Sequence, residues 1–220
     1  MLLCAVLAVV VVSANGCCAP ERFSAYQLTA GLEMIKGSPK SEVGLSKFFH
    51  DGATERTAVV IEYAAEGGQN RMRIISDHRN KRRYIINTKT NACTVETINL
   101  PFRRFCTDSS RHLFEVNLGY GDNSLTARAF YKEMDSQDGR YKVGHVFLVS
   151  DACIPLQGDS FGLGQLNFLL ATGWGSLSTD FDDSVFDPPP TCPTLTCSQK
   201  DDVNIFEIIR NKGALKYGKL

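Results

Sequence analysis

The chain has 220 residues with 24 basic and 24 acidic side chains, so its formal net charge at pH 7 is zero. A chain of this length accommodates one sizeable domain and is short for two. The balanced charge argues against a strongly basic surface for nucleic acid and against an acidic tail. The basic cluster Arg79–Arg83 lies between two strand-like segments, and we interpret it as a solvated hairpin turn rather than a nucleic-acid or heparin site.

The first sixteen residues are typical of a secretory signal peptide. The apolar segment Leu2–Val12 is too short to span a bilayer as a helix, and small residues precede a possible cleavage site before Cys17. A buried N-terminal strand is the alternative. We therefore predict a signal peptide over 1–16, a β domain over 17–195 and a helical tail over 196–220. We expect a secreted, extracellular protein without a transmembrane segment.

About ten short candidate strands follow one another between residue 26 and residue 172, with turn residues between them. Arg111–Leu118 and Leu125–Lys132 alternate between two sets of side chains, the period of a strand. No amphipathic helix of core length competes with them. Such a series predicts an all-β fold of two packed antiparallel sheets, as a sandwich or a half-open barrel.

The alternating apolar side chains either fill a solid core or line a cavity, and periodicity alone does not separate the two. Two apolar segments, Tyr141–Ser150 and Leu163–Thr172, contribute several of them and flank a corner that contains Cys153 and Pro155. The candidate lining residues are Phe114, Val116, Phe130, Phe147, Val149, Leu166 and Phe168.

The segment Gly158–Gly162 matches the G-x-S-x-G pattern of serine hydrolases around Ser160. That motif requires a strand, a sharp turn and a helix, with the histidine after the serine. No histidine follows Ser160, so only a different chain order would complete a triad. We interpret the segment as a glycine-rich turn and predict that the protein is not an enzyme. A histidine within hydrogen-bond reach of Ser160 would favour a hydrolase instead.

An acidic loop and a short amphipathic segment follow the strands. The acidic side chains are calcium-type oxygen ligands without EF-hand spacing, so we weigh a calcium site against a solvated loop. After Cys197, the isoleucines at 205, 208 and 209 indicate a C-terminal helix that covers an open end or edge of the sheets, or binds a partner. The candidate calcium ligands are Asp180, Asp182, Asp183 and Asp187.

Removal of the signal peptide leaves seven cysteines, which in a secreted chain indicate a disulfide framework. An odd number leaves one cysteine free or bonded to another chain. The spacing Cys192-x4-Cys197 has no second cysteine or histidine pair to complete a zinc site.

The neighbourhoods of several cysteines resemble those of ependymin-related proteins, over about Cys17 to Cys192. The matching elements, in order, are Cys18-Ala19-Pro20, Phe48-Phe49-His50-Asp51-Gly52, Asn87-Thr88-Lys89-Thr90-Asn91-Ala92-Cys93, Asp151-Ala152-Cys153-Ile154-Pro155 and Asp183-Ser184-Val185-Phe186-Asp187-Pro188-Pro189-Pro190-Thr191-Cys192.

The resemblance implies secretion, a two-sheet antiparallel fold around a deep hydrophobic pocket, lipid-like ligands, calcium association and homodimers. It also implies bridges from Cys18 to Cys153 and from Cys93 to Cys192. For the remaining cysteines we expect a Cys106–Cys197 bridge, with Cys17 as the odd one.

Two functions are consistent with these observations. The first is a secreted, non-enzymatic protein that binds a fatty acid or lipid in a pocket and requires no cofactor. The alternative is a calcium-associated extracellular interaction, matrix or adhesion protein that acts as a dimer.

Overall fold

The computed structural model describes residues 16–35, 38–65, 68–99, 101–135, 142–163 and 168–193. Over these residues the protein is all-β, with two short 3₁₀ helices at Gly121–Asn123 and Asp183–Phe186. None of the described helices is long or apolar enough to cross a membrane. The strands are β1 (Arg22–Ile35), β2 (Ser38–Asp51), β3 (Arg56–Ala65), β4 (Gly68–Asp77), β5 (Arg82–Asn87), β6 (Ala92–Thr97), β7 (Arg111–Leu118), β8 (Leu125–Asp135), β9 (Lys142–Ser150), β10 (Pro155–Leu163) and β11 (Phe168–Ser178).

The described strands form one antiparallel sheet of eleven strands in the order β6-β5-β4-β3-β2-β1-β11-β10-β9-β8-β7. The prediction of two separate sheets is therefore not confirmed. The reason is β1, which pairs along its whole length with β2 and, on its other side, with β11. This second pairing joins the two halves of the sequence into a continuous sheet. The predicted C-terminal helix lies outside the described residues.

One strand was not predicted as such: Pro155–Leu163 is β10 rather than a glycine-rich turn. Its residues pair in register with β9 on one side and β11 on the other. An internal strand has its backbone groups satisfied on both edges, which offsets the weak strand propensity of Gly158 and Gly162. The corner between β9 and β10 is therefore shorter than predicted. It consists of residues 151–154, where Cys153 adopts a positive φ of 61°.

Residues directly opposite each other on neighbouring antiparallel strands share a face of the sheet. Phe23 pairs with His50, Ala25 with Phe48, and the register of β11 places Trp174 on the same side. We call this side the inner face and the opposite side the outer face. The segment 101–110 lies on the inner face, where the Phe105 ring contacts Phe23, Phe48, His50 and Trp174 at centroid distances of 5.3–5.7 Å.

The connection between β6 and β7 shows that the sheet is curved. These strands are the two edges, so a flat sheet would separate them by ten strand spacings, or about 48 Å. Thirteen residues, Ile98–Ser110, connect the two strands, and the fourteen residue steps from Thr97 to Arg111 span at most about 46–50 Å when fully extended. They are not fully extended, since they contain turns closed by Cys106 N–H to Arg104 O and Ser110 N–H to Thr107 O. Because this segment lies on the inner face, we infer that the inner face is concave.

The outer face of the first half is covered by the segment 181–193. Its buried Phe186 packs with Phe49, Ala58, Ile75 and Ile86 in one hydrophobic core. Each of these four residues contributes an apolar side chain from a different strand, β2 to β5. The cover therefore ties the C-terminal part of the described chain to its first half.

Three disulfides join Cys17 to Cys153, Cys18 to Cys106 and Cys93 to Cys192. The last has the pairing that the resemblance implied. The expected Cys18–Cys153 and Cys106–Cys197 bridges are wrong, and Cys17 is not the odd cysteine. The reason is local: Ala19 N–H donates to Phe105 O, which sets Cys18 beside Cys106. Neighbouring residues of an extended segment point in opposite directions, so Cys17 faces Cys153. Cys197 lies outside the described residues.

Candidate functional site

The residues predicted to line a cavity lie on both faces of the sheet. Cross-strand register places four of them, Phe130, Phe147, Val149 and Phe168, on the inner face. The other two described ones, Phe114 and Val116, lie on the outer face, so the prediction that all of them share one surface is wrong. The reason is a bulge in β7 between His112 and Phe114, which reverses the direction of the following side chains. Leu166 lies outside the described residues.

One end of the inner face is closed by aromatic side chains. Phe23 and His50 are almost fully buried there, and Phe102 stacks on His50 at 4.9 Å. Burial lowers the pKa of His50 to about 4; Asp51 raises it, and Arg104 and His78 lower it further. We call this group the closed end: Phe23, Phe48, His50, Phe102, Phe105 and Trp174.

At two glycines of the inner face beyond the closed end, the described residues leave room for a side chain. A Cβ atom built on Gly44 of β2 or on Gly158 of β10 would meet no described atom within 4 Å. Gly158 pairs with Phe147 and Thr172, and Gly44 pairs with Thr29, all of them half-buried. These positions lie along one line across β9, β10, β11, β1 and β2. We call this region the open end of the inner face.

A polar row lies beside the open end. It consists of Lys132, His145 and Ser160, which occupy directly opposite positions on β8, β9 and β10. The Ser160 Oγ lies 2.7 Å from the Nδ1 of His145. Burial lowers the pKa of His145, and the positive charges of Arg103 and Lys132 lower it further.

The Ser160–His145 pair was missed in the sequence because the hydrolase motif directs attention to histidines after the serine. His145 precedes Ser160 and reaches it across a hairpin, in a strand register that hydrophobic periodicity does not reveal. This hydrogen bond places a histidine within reach of Ser160, as a hydrolase would require. The electrostatics oppose it, since burial and two nearby cations disfavour the imidazolium that forms when histidine takes a proton from serine.

The four aspartates of the predicted calcium loop make separate contacts. Asp182 accepts a hydrogen bond from Ser184 N–H at 2.9 Å and caps the 3₁₀ helix. Asp183 lies 2.6 Å from Arg22 in an ion pair. The carbonyl of Asp187 accepts from Arg73, and that of Asp180 from Ser178. Calcium binding by these four residues stays a prediction.

Potential metal-ligating side chains of described residues converge in one group of three, away from this loop. Its members are Cys18, Cys106 and Asp108. The two cysteines form a disulfide, so their sulfurs are not thiolate ligands.

The outer face of β1, β2 and β11 exposes apolar side chains. Val43 is 65% exposed, Leu28 57% and Leu45 53%. Leu28 pairs with Leu45, and Val43 pairs with Ala30, so these side chains are neighbours on one surface. We call this surface the outer apolar patch; its other members are Tyr26, Leu32 and Leu169.

Several solved structures share weak similarity with the chain. A LolA superfamily protein from Nitrosomonas europaea is 11% identical with a TM-score of 0.37, covering 77% of this chain and 91% of its own. A DUF1329 family protein from Desulfovibrio piger is 12% identical with a TM-score of 0.35, covering 74% and 89%. A putative outer membrane lipoprotein-sorting protein domain from Vibrio parahaemolyticus is 6% identical with a TM-score of 0.36, covering 74% and 89%. Scores this low support no inference about function.

The sequence matches no curated protein. It does match the sequence model of one family, ependymin, over residues 66–192, which is more than half of the 220 residues. The match includes β4 to β11 and both cysteines of the Cys93–Cys192 bridge. The chain therefore belongs to the ependymin family.

Proposed function

We propose that this protein is a secreted, non-enzymatic binder of a hydrophobic molecule, such as a fatty acid or lipid, on its concave inner face. The observation that carries the proposal is the free space above Gly44 and Gly158, bordered by the apolar side chains of Phe147 and Leu170. Gly158 and Gly44 lie three strand spacings, or about 14 Å, apart across the inner face. An acyl chain buried there would contribute about 0.8 kcal/mol per CH2 group.

Secretion is supported by the cysteines. Three disulfides link segments that are far apart in the sequence, and such bonds persist in oxidising compartments. Membership of the ependymin family agrees with this location and with the ligand class that the resemblance implied.

The proposal is tested by native mass spectrometry of the secreted protein, followed by solvent extraction of any molecule that co-purifies. We expect a discrete mass excess that extracts as a lipid. Leucine at Gly158 or Gly44 would occupy the free space, so G158L and G44L should lose the bound mass while remaining folded. Gly175 faces the outer side of β11 and also has free space around it, so G175L is the matched control. Equal lipid content in all three variants would disprove binding at the open end.

The hydrogen bond between Ser160 and His145 favours a hydrolase as a competing function. Hydrolysis of medium-chain p-nitrophenyl esters by the wild-type protein and by S160A distinguishes a hydrolase from a non-enzymatic binder. A non-enzymatic binder gives no turnover above the uncatalysed rate in either protein. Turnover that S160A abolishes would establish the hydrolase.

A second candidate is a calcium-associated extracellular interaction or adhesion protein that acts as a dimer. The outer apolar patch favours it, because monomeric proteins rarely expose a contiguous surface of large aliphatic side chains. Sedimentation analysis of the wild-type protein and L28K would show whether this patch joins two copies. The same experiment with and without calcium, and with D183N, tests the acidic loop.

A further inference from the structure

We propose that the open end selects ligands with an anionic headgroup, a carboxylate or phosphate on a single acyl chain, and that the polar row binds this headgroup. The inference rests on the proposed function, since it assigns the charge of the ligand that the inner face takes. It depends on where the structure places Arg103, Lys132, His145 and Ser160.

The polar row lies directly beside the free space. Phe130, Phe147 and Gly158 occupy the same three strands, β8, β9 and β10, two residues away from Lys132, His145 and Ser160. Side chains two residues apart on a strand share a face and lie about 7 Å apart. A chain that occupies the space over Gly158 would therefore bring its headgroup to the polar row.

The row contains one cation, Lys132, and a second cation, Arg103, approaches it from another element. Lys132 belongs to β8, and its Nζ donates to the carbonyl of Asp108 at 3.5 Å. Arg103 belongs to the segment that crosses the inner face, and its Nη1 lies 2.8 Å from the thioether sulfur of Met134, two residues beyond Lys132. Among the described carboxylates, none lies within 4.0 Å of either cation. The described residues therefore leave both charges without a carboxylate partner.

The Ser160–His145 pair adds a neutral donor in either arrangement of its proton. If the Ser160 hydroxyl donates to Nδ1, the imidazole N–H is at Nε2 and free to donate. If Nδ1–H donates to Ser160, the hydroxyl hydrogen is free instead. Each case supplies one donor and two cations to an acceptor-only headgroup. Such charge-assisted hydrogen bonds are the strong ones, which gives a carboxylate or phosphate an advantage over an alcohol.

A displacement assay separates this inference from the proposed function. The full-length secreted protein, stripped of lipid, is loaded with the neutral probe N-phenyl-1-naphthylamine. Dodecanoate, dodecyl phosphate and dodecanol then compete for it at pH 7.5. We expect all three to displace the probe, with at least one anion binding at least tenfold more tightly than the alcohol. The two anions distinguish a fatty-acid carboxylate from a phosphate headgroup.

Variants locate the headgroup site. K132Q and R103Q should each reduce the preference for the anion by at least fivefold while the affinities for dodecanol and the probe stay unchanged. Lys142 lies on the outer face of β9, so K142Q is the matched control and should keep the preference. S160A provides a second test with little change in volume. Equal affinity for anions and alcohol in the wild-type protein would overturn the headgroup site alone. Failure of the neutral probe to bind would overturn the proposed function itself.

Discussion

Titration of His50 should make the protein less stable as the pH falls from 6.5 to 4. The side chain is 1% exposed and packed between Phe23 and Phe102. Its Nδ1 has no hydrogen-bond partner among the described residues. Burial lowers its pKa from 6.5 to about 4. Between these two values the unfolded chain binds a proton that the folded chain does not, so protons favour unfolding.

The size of the effect follows from the difference between the pKa of His50 in the unfolded chain, 6.5, and in the folded chain, about 4. This difference is about 2.5. One unit corresponds to about 1.36 kcal/mol, so the full loss is about 3 kcal/mol below pH 4. On the same basis His50 removes roughly 1–2 kcal/mol of stability at pH 5.5 and roughly 2–3 kcal/mol at pH 4.5. The neighbouring Asp51 acts in a different range. Burial raises its pKa, but hydrogen bonds from Thr54 and Arg56 outweigh this, so the pKa lies below 3.8.

Urea unfolding at pH 7.0, 5.5 and 4.5 measures this dependence in the wild-type protein and in H50F. The phenylalanine keeps a ring in the aromatic cluster and removes the titrating nitrogen. The free energy of unfolding should therefore fall less steeply with acid in H50F, by the amounts given above. The exposed His112 on β7 supplies the control, and H112Q should follow the wild-type curve. Equal pH dependence in the wild-type protein and H50F would refute the reasoning.

Three further variants test how the covering segments are held. Phe105→Ala removes a ring that contacts Trp174, the one tryptophan of the sequence. It should lower the free energy of unfolding in urea by about 2 kcal/mol and shift tryptophan emission to the red, and unchanged emission would contradict the contact. Replacement of both Cys93 and Cys192 by alanine removes a bridge between residues 99 positions apart, so the free energy of unfolding should fall by about 4 kcal/mol. A loss below 1 kcal/mol would contradict a stabilising role of this bridge. Arg22→Gln removes a contact with the cover at 181–193, so limited proteolysis should cut that segment faster, and equal rates would contradict it.

The secondary structure could be predicted wherever alternation and turn residues agree. The turn after Asp51 and the basic turn between Asp77 and Arg82 both connect neighbouring strands, as their composition indicates. Ten of the described strands overlap predicted ones for this reason. β10 could not be recognised because glycine, aspartate and serine within Gly158–Gly162 are typical of turns. Its place between two strands, rather than its own propensity, makes it a strand.

The site was harder to predict than the fold, because it depends on register. A single bulge after His112 moves Phe114 and Val116 to the outer face. Likewise, the hydrogen bond between His145 and Ser160 exists because β9 and β10 pair with those two residues opposite each other. Neither the bulge nor the exact pairing is encoded in hydrophobic periodicity. The expected partner of Cys153 was wrong for a similar reason, since a shift of one residue exchanges Cys17 and Cys18.

The arrangement of the covers would let one face of a single sheet serve both stability and the proposed binding. The segment 101–110 closes the inner face over Phe23 and Trp174, where its rings replace water and the Cys18–Cys106 bridge fixes it. Beyond that cover, no described atom lies within 4 Å of a Cβ built on Gly44 or Gly158. Groups in contact influence each other, whereas groups more than about 7–10 Å apart without shared partners act nearly independently. Substitutions at the closed end should therefore change the free energy of unfolding and leave ligand preference intact. Substitutions in the polar row should do the reverse. Because Arg103 belongs to the cover and approaches the row, we expect this residue to couple the two ends.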